Sequence, residues 1–189
     1  MITRSRIIST TYAYQLLILL GFAGVLTAAL VMQFVFGELP CPLCLLQRVA
    51  MFGICFGIML DFRDRFSWRN VGLSLLCAMF LLVISVRQTL LDIYPRPGHS
   101  YVGSAILGIH MPVWSIIITV LFLFAYGFQL VFAGREEDFA VTSASYYPGL
   151  KRAGELASLY VIALLLVNVL AVAVQCGTGA CHTMGYALL

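Results

Sequence analysis

Apolar residues fill this chain in long unbroken blocks, and charge is confined to the short stretches between them. Ile7–Gly37 contains no Asp, Glu, Lys or Arg, and neither do Pro97–Gly134 and Leu156–Leu189. Each block exceeds the roughly 20 residues that a helix needs to cross the hydrocarbon core of a bilayer. Two shorter blocks, Val49–Leu60 and Val71–Val86, become adequate spans when each is extended past a flanking Arg. The pattern predicts five transmembrane helices, at about 13–36, 43–60, 71–91, 113–133 and 156–175. The N-terminus imitates a signal peptide, with Arg4 and Arg6 ahead of an apolar run. That run is too long for a signal h-region, so it reads as a retained first helix.

Composition agrees. The chain is 62% hydrophobic and 10% charged, with a mean hydropathy of +1.01, whereas about a quarter of a soluble domain is charged. The expected fold is an all-α integral membrane protein. Residues 1–134 form a four-helix core, 135–155 a cytoplasmic linker, and 156–189 a fifth helix with a cysteine-containing tail.

Lys and Arg orient the bundle. With the N-terminus in the cytoplasm, the inside segments hold Arg4, Arg6, Arg63, Arg65, Arg69, Arg135, Lys151 and Arg152, eight of the eleven positive residues. The net charge of +3 therefore belongs to loops that set topology, and it implies no nucleic-acid partner. An odd number of helices puts the C-terminus outside. Cys41, Cys44, Cys176 and Cys181 then share the outer face, where disulfides persist. Cys55 and Cys77 fall within helices and read as small packing residues.

Chemistry concentrates in "GELPCPLCLLQRVAMF", residues 37–52. Pro40 breaks the chain and Pro42 suits a first helical turn. Cys41 and Cys44 are thereby set at a helix N-terminus, where unpaired N–H groups favour a thiolate. Arg48 follows one turn after Cys44 on the same face. An arginine at that depth belongs inside the bundle and marks a functional site by default. A polarised dithiol, a cation and a lipid-side position suit an apolar two-electron acceptor arriving from the bilayer, such as a quinone. Other readings stay open. A Cys-x-x-Cys pair also serves as a structural staple or as half a zinc site, which Cys176, Cys181 and His182 would complete. Arg48 alone also fits a snorkelling anchor.

"CPLCLLQR" resembles the active-site motif of the DsbB family of membrane disulfide oxidases, a Cys-x-x-Cys followed by Gln-Arg. "RQTLLDIYPRP" (87–97) resembles the end of that family's third helix and the loop after it. "LGIHMPVWS" (107–115) resembles its entry to helix 4. The resemblance implies a four-helix bundle, a bound quinone (ubiquinone or menaquinone), and oxidation of a soluble DsbA-like thioredoxin-fold partner at the bacterial inner membrane. It implies that Cys41 and Cys44 are the quinone-linked pair, with Cys44 engaging the quinone. Arg48 becomes the quinone-side cation with Gln47 beside it. Gln88 stands where some members have a His, next to Arg87. No metal belongs to this reading.

One departure is plain. Ordinary members carry a second cysteine pair in the outer loop between helices 3 and 4, and here "IYPRPGHSYVGSAILGIH" (93–110) has no cysteine. Two cysteines appear instead in "VQCGTGACHTMGYALL" (174–189), where Gly177 and Gly179 permit a tight turn. The expected electron route runs from the soluble dithiol to Cys176–Cys181, then to Cys41–Cys44, then to quinone. His182 beside Cys181 reads as an ordinary interfacial residue. The rival function is a metal-binding or non-catalytic membrane protein with structural outer cysteines.

Overall fold

The computed structural model describes residues 2–94, 105–132, 144–177, 179, 181 and 186. Residues 95–104 of the loop between helices 3 and 4, residues 135–143 of the expected linker, and His182 lie outside the described residues. Among the described residues five long helices carry the fold: α1 (Ile2–Phe34), α2 (Pro42–Arg63), α3 (Trp68–Ile93), α4 (Met111–Phe132) and α5 (Pro148–Cys176). All five are long and apolar enough to cross a membrane, and the protein is an all-α integral membrane protein. A minimal antiparallel hairpin, β1 (Ala105–Ile106) and β2 (Ile109–His110), leads into α4.

The fifth helix begins at Pro148, not near 156, so residues 148–155 of the expected linker are helical. Pro148 explains the difference, because a proline is pre-shaped for a first turn and needs no N–H partner there. Charged Lys151, Arg152 and Glu155 hid that turn from a reading based on apolar blocks. Lys151 and Glu155 face each other one turn apart at 3.8 Å.

Polarity is sorted as a bilayer requires. Large apolar side chains such as Leu17, Phe124 and Leu170 point outward, while all six glutamines are buried. Polar groups in hydrocarbon must find partners inside the bundle. The α2–α3 pair is the tightest: a Cβ at Gly57 would come within 2.7 Å of the Asn70 carbonyl oxygen. Ser74 Oγ donates to the Ile54 carbonyl across the same contact at 3.0 Å. Helix α1 meets α4 where Phe22 and Phe122 pack edge to face.

Helix α5 packs on α1 and α2. A Cβ at Gly154 would collide with the Phe62 ring, so glycine sets how closely α5 approaches α2. Tyr160 and Thr27 join α5 to α1 through hydroxyls 2.7 Å apart. The fifth helix is therefore part of the packed bundle.

At the end of α2, the chain turns around Asp61, which is 1% exposed. Gln15 Nε2 donates to one carboxyl oxygen at 2.7 Å. The Ser67 N–H and Asn70 Nδ2 donate to the other at 3.1 and 2.8 Å. This single carboxyl group ties α1, α2 and the start of α3 together.

Candidate functional site

The site forms where α1 ends and α2 begins. Gly37 takes a left-handed conformation at φ +71°, and the Glu38 N–H returns to the Met32 carbonyl at 3.1 Å. This closure ends α1 with a glycine in the position that tolerates it. The chain then runs through buried Pro40 to Cys41, the N-cap of α2, with Pro42 at the first helical position. The Cys44 N–H donates to Cys41 Sγ at 3.2 Å, so the cysteine sulfur occupies the place that a Ser or Asp oxygen fills in ordinary caps. Capping sets the Cys41 side chain over the first turn, and the two sulfurs lie 2.6 Å apart. Both are free, partly buried cysteines.

A chain of neutral donors ends on these sulfurs. Ser115 of α4 donates to Gln47 Oε1 at 3.3 Å, and Gln47 Nε2 donates to Gln88 Oε1 at 3.1 Å. Gln88 Nε2 then faces Cys44 Sγ at 3.3 Å and Cys41 Sγ at 3.5 Å. Every link is oriented the same way, so the chain presents a polarised N–H to the sulfur pair. The Cys41 thiol is pushed above the ordinary cysteine range, first by its hydrogen bond to Cys44 and then by burial.

Arg48 lies deeper and is 7% exposed. Its NH1 donates to Gln33 Oε1 at 2.6 Å and to Asn168 Oδ1 at 3.2 Å. Its NH2 donates to the Ala29 carbonyl at 2.9 Å. These acceptors come from α1 and α5 and are all neutral. Its hydrogen-bond partners among the described residues therefore hold the charge in place without neutralising it.

Cys41, Cys44, Gln47, Arg48 and Ser115 open onto one cavity of about 380 Å³. Its remaining wall is mostly apolar, with Met32 of α1, Met51 of α2, Ile106 and Leu107 of the hairpin, and Trp114 and Ile118 of α4, and Glu38 is the one carboxylate among the lining residues. That volume is within the range of small-molecule sites. A planar apolar head group with carbonyl oxygens fits such a lining.

The structure brings together Cys41, Cys44, Gln47, Arg48 and Gln88. It does not bring Arg87 with them. Arg87 is exposed and lies on an outward face of α3 with Val83, Val86 and Leu90. Neighbours in a helix point about 100° apart, so only one of Arg87 and Gln88 can face the sulfurs, and burial selects the amide. Four contributors were missed by the sequence reading: Gln33, Asn168, Ser115 and the Ala29 carbonyl. The amides carried a signal, since Gln or Asn inside an apolar span must face the bundle interior.

The tail cysteines are bonded to each other as Cys176–Cys181. Gln175 Nε2 donates to the Pro40 carbonyl at 2.9 Å. The end of α5 therefore abuts the residue before Cys41, and the disulfide starts one residue further on.

Among known proteins, the family described as Disulfide bond formation protein DsbB matches residues 11–101. That stretch holds both thiols, Arg48 and Gln88, and stops before α4 and α5. A Disulfide bond formation protein B of Cupriavidus necator is 28% identical over 158 residues, covering 67% of this chain and 96% of that protein. No solved structure matches the chain.

Proposed function

We propose that this chain is a member of the DsbB family of membrane disulfide bond formation proteins, which it resembles over residues 11–101, and that it is a thiol:quinone oxidoreductase that reoxidises a soluble DsbA-like protein. The observation that carries the reading is the close sulfur pair, 2.6 Å apart, opening onto a mostly apolar cavity beside a guanidinium held by neutral acceptors. A bound quinone would supply the acceptor for the two electrons and two protons released as the Cys41 and Cys44 thiols become a disulfide.

The chain's own residues do the rest. Cys41, as the cap, holds its sulfur against Cys44. Gln88 steadies both sulfurs, and Gln47 and Ser115 orient Gln88. Arg48 favours anionic sulfur and, with Gln33 beside it, an acceptor gaining negative charge. The walls exclude water, which strengthens both effects.

The tail supplies the missing second pair. A thiolate of the soluble partner attacks the Cys176–Cys181 disulfide, and its second thiolate resolves the mixed disulfide. The reduced tail pair then attacks the Cys41–Cys44 disulfide in the same way. Two thiols become a disulfide at each exchange while another disulfide opens, so electrons and sulfur bonds balance. The contact from Gln175 to Pro40 supports this route by bringing the two pairs to one end of the bundle. The Lys and Arg bias makes that end periplasmic in a bacterial inner membrane. A zinc site would need Cys176 and Cys181 as thiolates, and their mutual bond favours the redox reading.

The deciding experiment adds quinone anaerobically to the pure reduced protein and follows thiols and quinol together. Two thiols lost for each quinol formed supports the reading. Thiol loss without quinol, or no reaction, removes it.

A further inference from the structure

Helix α5 lies wholly beyond the residues that match the family, yet it reaches the most unusual group in the site. Asn168 is 4% exposed in the middle of an apolar helix, and its Oδ1 accepts from Arg48 NH1 at 3.2 Å. We propose that Asn168 is a positioning residue for Arg48, and that α5 thereby completes the redox centre. This rests on the reading of Cys41–Cys44 as the working pair.

Arg48 NH1 is shared between Gln33 Oε1 from α1 and Asn168 Oδ1 from α5, while NH2 takes the Ala29 carbonyl. The guanidinium is thus clamped between α1 and α5. A flexible arginine at this depth would otherwise snorkel toward the interface. An amide holds it without supplying countercharge. A carboxylate in the same place would hold it equally well in geometry but would cancel the field that Cys44 and the cavity experience. The choice of Asn over Asp is therefore part of the chemistry. The residue is a neutral oxygen because a charged one would spend the cation.

The same amide also explains how an added helix can matter to a site whose thiols lie on α2. Gln175 holds the last turn of α5 to Pro40, and Asn168 lies two turns earlier on the same helix, facing the same bundle interior. Both buried amides of this half of α5 are directed at the segment from Pro40 to Arg48.

Two substitutions separate geometry from charge. Asn168→Leu removes the acceptor and keeps the volume. Asn168→Asp keeps the acceptor and adds a countercharge. Each is made in the full-length protein, with Cys41→Ser added where Cys44 must be read alone. The first readout is the iodoacetamide alkylation rate of Cys44 at neutral pH, mapped by mass spectrometry and measured without quinone. The second is the KM and kcat for a short-chain quinone with dithiothreitol as donor, in proteins that retain Cys41. Thermal unfolding checks the fold of each variant.

The expected result is an Asn168→Asp protein as stable as wild type, with Cys44 alkylation slowed about tenfold and KM for quinone raised, as one unit of charge-state preference implies. Asn168→Leu should slow alkylation by a smaller factor. If both variants fold and alkylate Cys44 within twofold of wild type, Asn168 only seals α5 to the bundle and the proposal falls. If Asn168→Leu does not fold, Asn168→Asp decides alone. If the wild-type protein reduces no quinone, the proposed function fails, while the alkylation comparison still decides the role of Asn168.

Discussion

Helix α2 buries an arginine near its start and an aspartate near its end, and the two are treated in opposite ways. Arg48 and Asp61 are 7% and 1% exposed, and thirteen residues put them about 20 Å apart along the helix. Each is held by hydrogen bonds to neutral groups. The Asp61 donors are Gln15, Ser67 and Asn70, which belong to α1 and to the turn into α3, and their only task is to join those elements. The Arg48 acceptors leave one side of the guanidinium open to a cavity of about 380 Å³. An enclosed ion with its bonds made is a fastener. An ion held just as firmly but facing a mostly apolar cavity is available to a ligand. Burial alone does not tell the two apart; the cavity does.

The largest expected effect is at the open end. Cys41→Ser or Cys44→Ser should abolish quinone-dependent disulfide formation, by at least about a thousandfold, because neither single thiol can close the pair. Melting temperature should hardly move, since the cap and the packing survive. Normal turnover in either variant would show that the sulfurs at 2.6 Å are a staple.

Next in size is the extension of that open end into the tail. Replacing Cys176 and Cys181 together with Ser should block oxidation of the soluble partner. The same protein should still pass electrons from dithiothreitol to quinone through Cys41–Cys44. If the double variant oxidises the partner at the wild-type rate, the tail disulfide is structural and the partner reacts with Cys41–Cys44 directly. A reporter fused after Leu189 should lie outside the cytoplasm, on the side of Cys41.

Arg48→Met comes third and tests the contrast most directly. It should lower kcat/KM for quinone by about 100-fold or more, comparable to losing one preorganised electrostatic stabiliser. Stability should fall by about 1–3 kcal/mol, because Gln33 Oε1, Asn168 Oδ1 and the Ala29 carbonyl lose their donor, and turnover is therefore normalised to folded protein. Unchanged quinone kinetics would make Arg48 an anchor and erase its difference from Asp61.

How much of this was legible in the sequence follows from which physics acts locally. The five spans show in charge-free blocks, because the bilayer imposes a length and an apolar content on each helix separately. Cys41, Cys44 and Arg48 show because their spacing on one helix fixes their neighbourhood. Gln88 and Arg87 are adjacent in sequence, and only packing against α2 decides which one faces inward. Gln33 and Asn168 lie 135 residues apart on two helices whose packing the sequence does not show, so nothing local pairs them with Arg48. The start of α5 was misplaced because the apolar pattern begins one turn or more after the helix does, and Pro148 is the local signal that was read past. For the misplaced side chains the deciding term was a tertiary contact, and in each success it was the solvent or a short covalent spacing.

The smallest expected effect on turnover is at the closed end, and it completes the test. Asp61→Ala removes the acceptor for Gln15 Nε2, the Ser67 N–H and Asn70 Nδ2. Three donors lose their partner, and the loss of stability should be about 1–3 kcal/mol, since buried hydrogen bonds in membrane bundles are individually modest. Asp61→Asn keeps one acceptor oxygen and should lose less. Quinone turnover per folded molecule should match wild type in both, because the donors around Asp61 make no contact with the sulfurs or the cavity. Thermal unfolding in detergent gives the first quantity, and turnover normalised to folded protein gives the second. If Asp61→Asn instead slows turnover without changing stability, the two ends of α2 are coupled, and Asp61 is more than a fastener.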